Sequence, residues 1–185
     1  MKKCLAAAGV LACASAASAQ VDVTFVFPNT GQTGLTFAQF TVDGVTITIE
    51  NPRGSTLFPP DQFGFLLGGL FIDGGLSPIV DLTFSQSVRL VSYGIGNGET
   101  DFNGASFSMT QGASSSPGNA NNALGIFAFS NTSSVFQGNL PIELRAADHD
   151  GEGFSISRIT IRTIPAPGPL AMLGLGALAA PRRRR

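Results

Sequence analysis

The chain has 185 residues, 43% apolar, 12% charged and 9% aromatic, the size of a single domain. Its 11 basic and 12 acidic residues nearly balance, but Lys2, Lys3 and Arg182 to Arg185 sit at the ends and leave five arginines against all the acids. So acidic a middle argues against a nucleic-acid partner, whose phosphates are bound by basic side chains that displace counterions. The only cysteines are Cys4 and Cys13, the only histidine is His149, the only tyrosine is Tyr93, and tryptophan is absent. The middle therefore has no disulfide, thiol nucleophile or cysteine metal site, and most catalytic machinery built on histidine pairs or aromatic cages is absent.

At the N-terminus, Met1-Lys2-Lys3 is a short positive region, Cys4 to Ala14 is weakly apolar, and Ala17-Ser18-Ala19 offers small residues where a signal peptidase needs them. The three parts predict a signal peptide over 1–19, cut between Ala19 and Gln20, and hence work outside the cytoplasm. Two other readings of the segment are a buried alanine-rich helix and lipoprotein processing at Cys13.

From residue 20 to 163 the pattern is antiparallel β. Short runs of Val, Ile, Phe and Thr are separated by Gly, Pro, Asn, Ser and Asp. Val21, Val23, Phe25 and Phe27 alternate with other residues until Pro28-Asn29-Thr30-Gly31 ends the strand. Next, Asp43-Gly44 stands between Phe40, Val42 and Val45, Ile47, Ile49. A two-residue turn there pairs Val42 with Val45, Phe40 with Ile47 and Ala38 with Ile49, so that one face of a hairpin is wholly apolar. One long strand with a glycine bulge at Gly44 gives the same phase change. Further strands are expected over 63–67, 79–84, 88–95, 105–110, 123–130, 140–144 and 154–164, the last with a bulge near Ser157. Gly94-Ile95-Gly96-Asn97-Gly98 lacks the lysine and helix of a phosphate loop and reads as a turn. The small polar run 111–122 reads as a mobile loop. Nine or ten short strands predict a β-sandwich or jelly roll, with 15 phenylalanines as core filling.

Asp148, Asp150 and Glu152, interleaved with His149 and glycines, are the acidic cluster of the middle. They offer hard oxygen ligands to calcium, although turn chemistry also accounts for each of them. Zinc is disfavoured, since His149 is the sole nitrogen ligand. A Ser-His-Asp triad would have to use His149, and no Gly-x-Ser-x-Gly elbow precedes it; Ser155 falls inside a strand, on its polar side. Twelve acids leave glycosidase chemistry open without any spacing that argues for it. Sugar contact would need Tyr93 or exposed phenylalanines as platforms. The residues as a whole point to a protein that is not an enzyme, without a cofactor other than calcium at that loop. A carbohydrate- or calcium-binding adhesive module is the alternative.

The C-terminal segment 164–185 has three parts. Ile164-Pro165-Ala166-Pro167-Gly168-Pro169 is an extended linker, because its prolines remove donors and fix φ. Leu170 to Ala180 is uncharged, and Arg182, Arg183, Arg184 and Arg185 close the chain. About 12 helical residues reach about 18 Å, short of a hydrocarbon core of about 30 Å, which suits temporary retention at a membrane; an ordinary transmembrane anchor is the other reading. Pro165 to Arg185 resembles the PEP-CTERM sorting signal, with Ala166 in place of that family's central glutamate. The resemblance implies a bacterial envelope, cell-surface or extracellular-matrix protein, and a tail recognised by an exosortase, a membrane-embedded transpeptidase. It also implies association with exopolysaccharide and a jelly-roll ectodomain whose last strand runs into the linker.

Overall fold

The computed structural model describes residues 19–50, 63–66, 69–72, 79–98, 106–119, 125–146 and 154–165. Gln20–Ile164 forms one compact unit. Segment 1–18 of the expected signal peptide, the tail from Ala166 onward and the acidic cluster Asp148, Asp150 and Glu152 lie outside the described residues.

All described regular structure is β: β1 Asp22–Val26, β2 Gln32–Leu35, β3 Phe37–Val42, β4 Val45–Glu50, β5 Phe63–Leu66, β6 Gly69–Ile72, β7 Ile79–Phe84, β8 Val88–Gly98, β9 Ser106–Gln111, β10 Ser114–Asn119, β11 Gly125–Ala128, β12 Pro141–Ala146 and β13 Phe154–Thr163. They form two antiparallel sheets. The seven-stranded sheet, sheet A, runs β11-β8-β13-β6-β5-β2, with β1 also paired to β13. The six-stranded sheet, sheet B, runs β10-β9-β12-β7-β4-β3. β13 is the axis of sheet A. One of its edges pairs with β8 along its length, and the other is shared by β6 over Phe154 to Ile156 and β1 over Arg158 to Arg162.

The strands take this form because every second residue is apolar and one face of each is buried. In β4, Val45, Ile47 and Ile49 are buried while Thr46 and Thr48 face out, and β7 and β12 repeat the alternation. Inward residues of both sheets share one core, a sandwich-like arrangement. Aromatic rings join the layers: Phe25 of sheet A lies 5.9 Å from Phe84 of sheet B, and Tyr93 lies edge-on to Phe107 at 4.9 Å. Each such side chain, fully buried, contributes about 1.5–3 kcal/mol, and with no disulfide available in the body this burial supplies the stability.

The expected hairpin is present in the expected register: Val42 pairs with Val45, Phe40 with Ile47 and Ala38 with Ile49. Asp43 and Gly44 have φ of 48° and 76°, the positive pair that a type I′ turn demands and that Asp-Gly adopts readily. β13 carries its bulge between Ile156 and Arg158, with further irregularities between Phe154 and Ile156 and between Thr160 and Ile161.

Two expectations are corrected. Gly94 to Gly98 continues strand β8, with Gly94 opposite Arg158 and Gly98 opposite Phe154. The supposed mobile loop 111–122 contains a hairpin: Gln111 pairs with Ser114 across Gly112-Ala113, and β10 pairs with β9 through to Asn119. β10 (SSSPGN) is a poor strand former by composition, and its surroundings hold it. Pro117 is tolerated because β10 is an edge strand. That edge is covered by the segment that follows β11. Asn131 Nδ2 donates to the Ser115 carbonyl at 2.9 Å, Ser116 Oγ to the Asn131 carbonyl at 2.8 Å, and Ser114 Oγ to the Val135 carbonyl at 2.8 Å. Gly118 is required by contact, since a Cβ there would run into the Phe107 ring. Gly118→Ala is expected to destabilise the fold by about 1–3 kcal/mol through overpacking. Chemical denaturation measures this, and an unchanged midpoint contradicts it.

Candidate binding faces and the paired chain ends

The first and last strands of the compact unit are neighbours. Thr163 N donates to the Val21 carbonyl at 2.9 Å, Val21 N donates to Thr163 Oγ1 at 3.1 Å, and Ile164 N donates to the Ser87 carbonyl at 2.9 Å. The chain therefore enters and leaves the body at one end of the β1–β13 pair. Ala19 and Gln20, the expected cleavage pair, are exposed, and Pro165 is half-buried. Ala166, Pro167 and Arg182 to Arg185 lie outside the described residues, as do Asp148, Asp150, Glu152 and His149. Among the described residues no group of three metal-ligating side chains converges. Tyr93 is buried beside Phe107, Phe127 and Phe129, so it is no sugar platform. Ser155 lies in β13 as expected but is buried rather than on a solvated face.

What the fold does assemble is a pair of charged sheet faces. On sheet B, Glu50 of β4 stands opposite Asp81 of β7, which stands opposite Glu143 of β12. Three carboxylates thus occupy adjacent strands in one row, with Phe37 beside Glu50. Asp81 and Glu143 sit in outward slots between buried residues, Val80 and Leu82 for the one and Ile142 and Leu144 for the other, and Glu50 is exposed after the buried Ile49. Partial burial pushes the Asp81 carboxyl above the usual carboxylate range, with Glu143 and Glu50 adding to the shift. Arg145 Nε donates to Glu143 Oε1 at 2.9 Å, two residues along the same face. The rest of the face is a hydroxyl and amide ladder, in which Thr41 and Thr46 hydroxyls lie 2.9 Å apart and Gln39 Nε2 donates to Thr48 Oγ1 at 3.1 Å.

Sheet A carries the opposite sign. Arg162 of β13 has Asp22 of β1 on one side and Arg89 of β8 on the other. Asp22 holds Arg162 through a fork: Nε to Oδ1 at 2.6 Å and Nη2 to Oδ2 at 2.8 Å. That hydrogen bond, with the attraction behind it, lowers the Asp22 pKa against a smaller opposing effect of burial. The next row is Thr24, Thr160 and Ser92, with the two threonine hydroxyls 2.9 Å apart. The third is Val26, Arg158, Gly94 and Ile126. The Arg158 stem crosses Gly94, whose hypothetical Cβ would lie 2.8 Å from Arg158 Cγ. The Nε–H groups of Arg89 and Arg158 are buried against the sheet without a hydrogen-bond partner, and neither arginine has an ion-pair partner among the described residues. Each face is the inverse of the other: Arg89, Arg158, Arg162 and Asp22 on one, Glu50, Asp81, Glu143 and Arg145 on the other. Among the described residues the one further charged side chain is Asp43, in the β3–β4 turn.

None of these eight residues stood out in the sequence, because each is an ordinary polar position of an alternating strand and only the strand order places them together. No protein-family model, curated protein or solved structure matches the chain.

The raised Asp81 pKa fixes a pH dependence. A carboxyl whose folded pKa exceeds its unfolded value contributes stability that is present below the unfolded pKa and is lost as pH rises through the folded one. Asp81→Asn is therefore expected to raise the melting temperature at pH 7 and to leave it unchanged near pH 3. A lower melting temperature at pH 7 would contradict the crowding of the carboxylate row.

Proposed function

We propose that this chain is an exported, non-enzymatic protein of the cell surface or extracellular matrix. In this reading the signal peptide 1–19 is removed at Ala19, and the C-terminal segment 164–185 pauses the body at the membrane. An exosortase-type transpeptidase then processes the tail near Pro165-Ala166-Pro167. The observation that carries the reading is the order of three parts at the C-terminus: a Pro-x-Pro linker, a short uncharged apolar run and Arg182 to Arg185. A positive cluster resists translocation, and an apolar run this short holds a membrane only temporarily.

The paired ends support the same reading. With Gln20 and Ile164 leaving side by side, a body tethered at either end presents the same opposite end outward. Phe154, to which the acidic segment is joined, is at the other end of β13, about 30 Å away for an extended run of this length. We further read the body as a jelly roll. The orders β1-β13-β8-β11 and β7-β12-β9-β10 nest the outermost strands around the inner ones, with β2 to β6 inserted between the first two, and this nesting supports the eight-stranded double Greek key.

Intact-mass measurement of the protein recovered outside exporting cells tests the reading. The expected product begins at Gln20 and ends near Pro167. A product that keeps Arg185 contradicts tail processing, and one that keeps Met1 to Ala19 contradicts the export cut.

A further inference from the structure

We propose that the two outer sheet faces are the two halves of one interface whose occupant is a second copy of this chain. The carboxylate row Glu50, Asp81 and Glu143 of one copy docks on the Arg162, Arg89 and Arg158 face of the next. This inference does not rest on the export reading and holds wherever the folded body is concentrated.

Like charges directly opposite on neighbouring strands destabilise a sheet. The fold accepts this arrangement on both faces, in Glu50–Asp81–Glu143 and in Arg162–Arg89. One docking event relieves both. Spacing fits as well as sign for two neighbours. Arg162 and Arg89 lie on adjacent strands at the strand separation, about 4.8 Å, as Asp81 and Glu143 do. Two adjacent guanidiniums therefore meet two adjacent carboxylates, while Arg158 stands four residues along β13 from Arg162. Guanidinium and carboxylate pair as forks, the geometry Arg162 already forms with Asp22. Apolar contact is available beside the charges. Val26 and Ile126, 62% and 60% exposed, flank Arg158 on sheet A, and Phe37, 54% exposed, flanks Glu50 on sheet B.

An anionic polysaccharide is the rival occupant of the arginine face. A polyanion would meet a body with five arginines against 12 acids and would leave the carboxylate row crowded. A second copy brings negative charge in the one place where the arginines wait.

Because the two patches differ, a docked pair keeps one free face of each kind, an arginine face on one copy and a carboxylate face on the other, and the product is an open stack rather than a closed dimer. A face four strands wide and five residues long covers about 300 Å², below the roughly 800 Å² per partner of stable complexes. The stacking is therefore weak and sensitive to salt.

Sedimentation velocity of the full chain tests this. Between about 0.01 M and 1 M salt the Debye length falls from about 30 Å to about 3 Å. The expected result is a sedimentation coefficient that rises with protein concentration at low salt and stops rising at high salt. The variants R89E/R158E and E50K/E143K are each expected to stay monomeric at low salt, because each then carries two faces of one sign. An equal mixture of the two regains large species, since opposite faces are again present. A wild-type chain that stays monomeric at low salt overturns the proposal, whatever the variants do. So does a mixture that stays monomeric while both variants keep the wild-type melting transition. Alginate that binds the wild type but not R89E/R158E, in the absence of any self-association, assigns the face to a polyanion and also overturns it.

Discussion

The pairing of β1 with β13 is the constraint from which most of the structure follows. Asp22 to Val26 lie against Arg158 to Arg162, so residues about 140 positions apart in sequence must meet before sheet A is complete. Local propensity cannot supply such a contact, and a topology of this kind folds slowly because loop closure precedes its reward. Once formed, the pair fixes the inward line Val23, Phe25, Ile159 and Ile161, all buried, and the outward line of Asp22, Arg162, Thr24 and Thr160. The same register brings the two chain ends together. Core, charged face and exit point are consequences of one strand alignment.

Stability and surface chemistry divide cleanly in this fold. The interior is held by apolar contact between sheets, with phenylalanines of β1, β3, β7 and β9 reaching across the layers. The described charges are, with one exception, on the two outer faces, three of one sign and one of the other on each. Surface pairs such as Arg145–Glu143 add little to stability. Their distribution bears on what the body meets: two flat faces of opposite sign, and an end where both termini leave.

Much of this was legible in the residues and some was not. Asp43-Gly44 between two alternating apolar runs encoded a turn type, a register and a buried face together, and all three are present. The phase change between Ile156 and Ile159 encoded the bulge. The edge strand β10 was illegible because its Ser-Ser-Ser-Pro-Gly composition reads as loop. What makes it a strand is tertiary: hydrogen bonds from Asn131 and to Val135, and the Phe107 ring over Gly118. Gly94 to Gly98 misled in the same way, because glycines that signal turns also occur where a neighbouring strand's side chain lies close, as Arg158 does on Gly94. The charged faces were invisible for a different reason. Glu50, Asp81 and Glu143 become neighbours only through the order β4-β7-β12, which no local pattern specifies.

If the β1–β13 pairing organises the fold, Gln20–Ile164, the compact unit that contains both strands, unfolds as one body by itself. Urea unfolding of the full chain beside a chain trimmed to residues 20–164 tests this most directly, with a third chain beginning at Pro28 to remove β1. One cooperative transition with the same midpoint is expected for the first two and no cooperative transition for the third. A trimmed chain that fails to unfold cooperatively, or a chain lacking β1 that keeps the original midpoint, would contradict it.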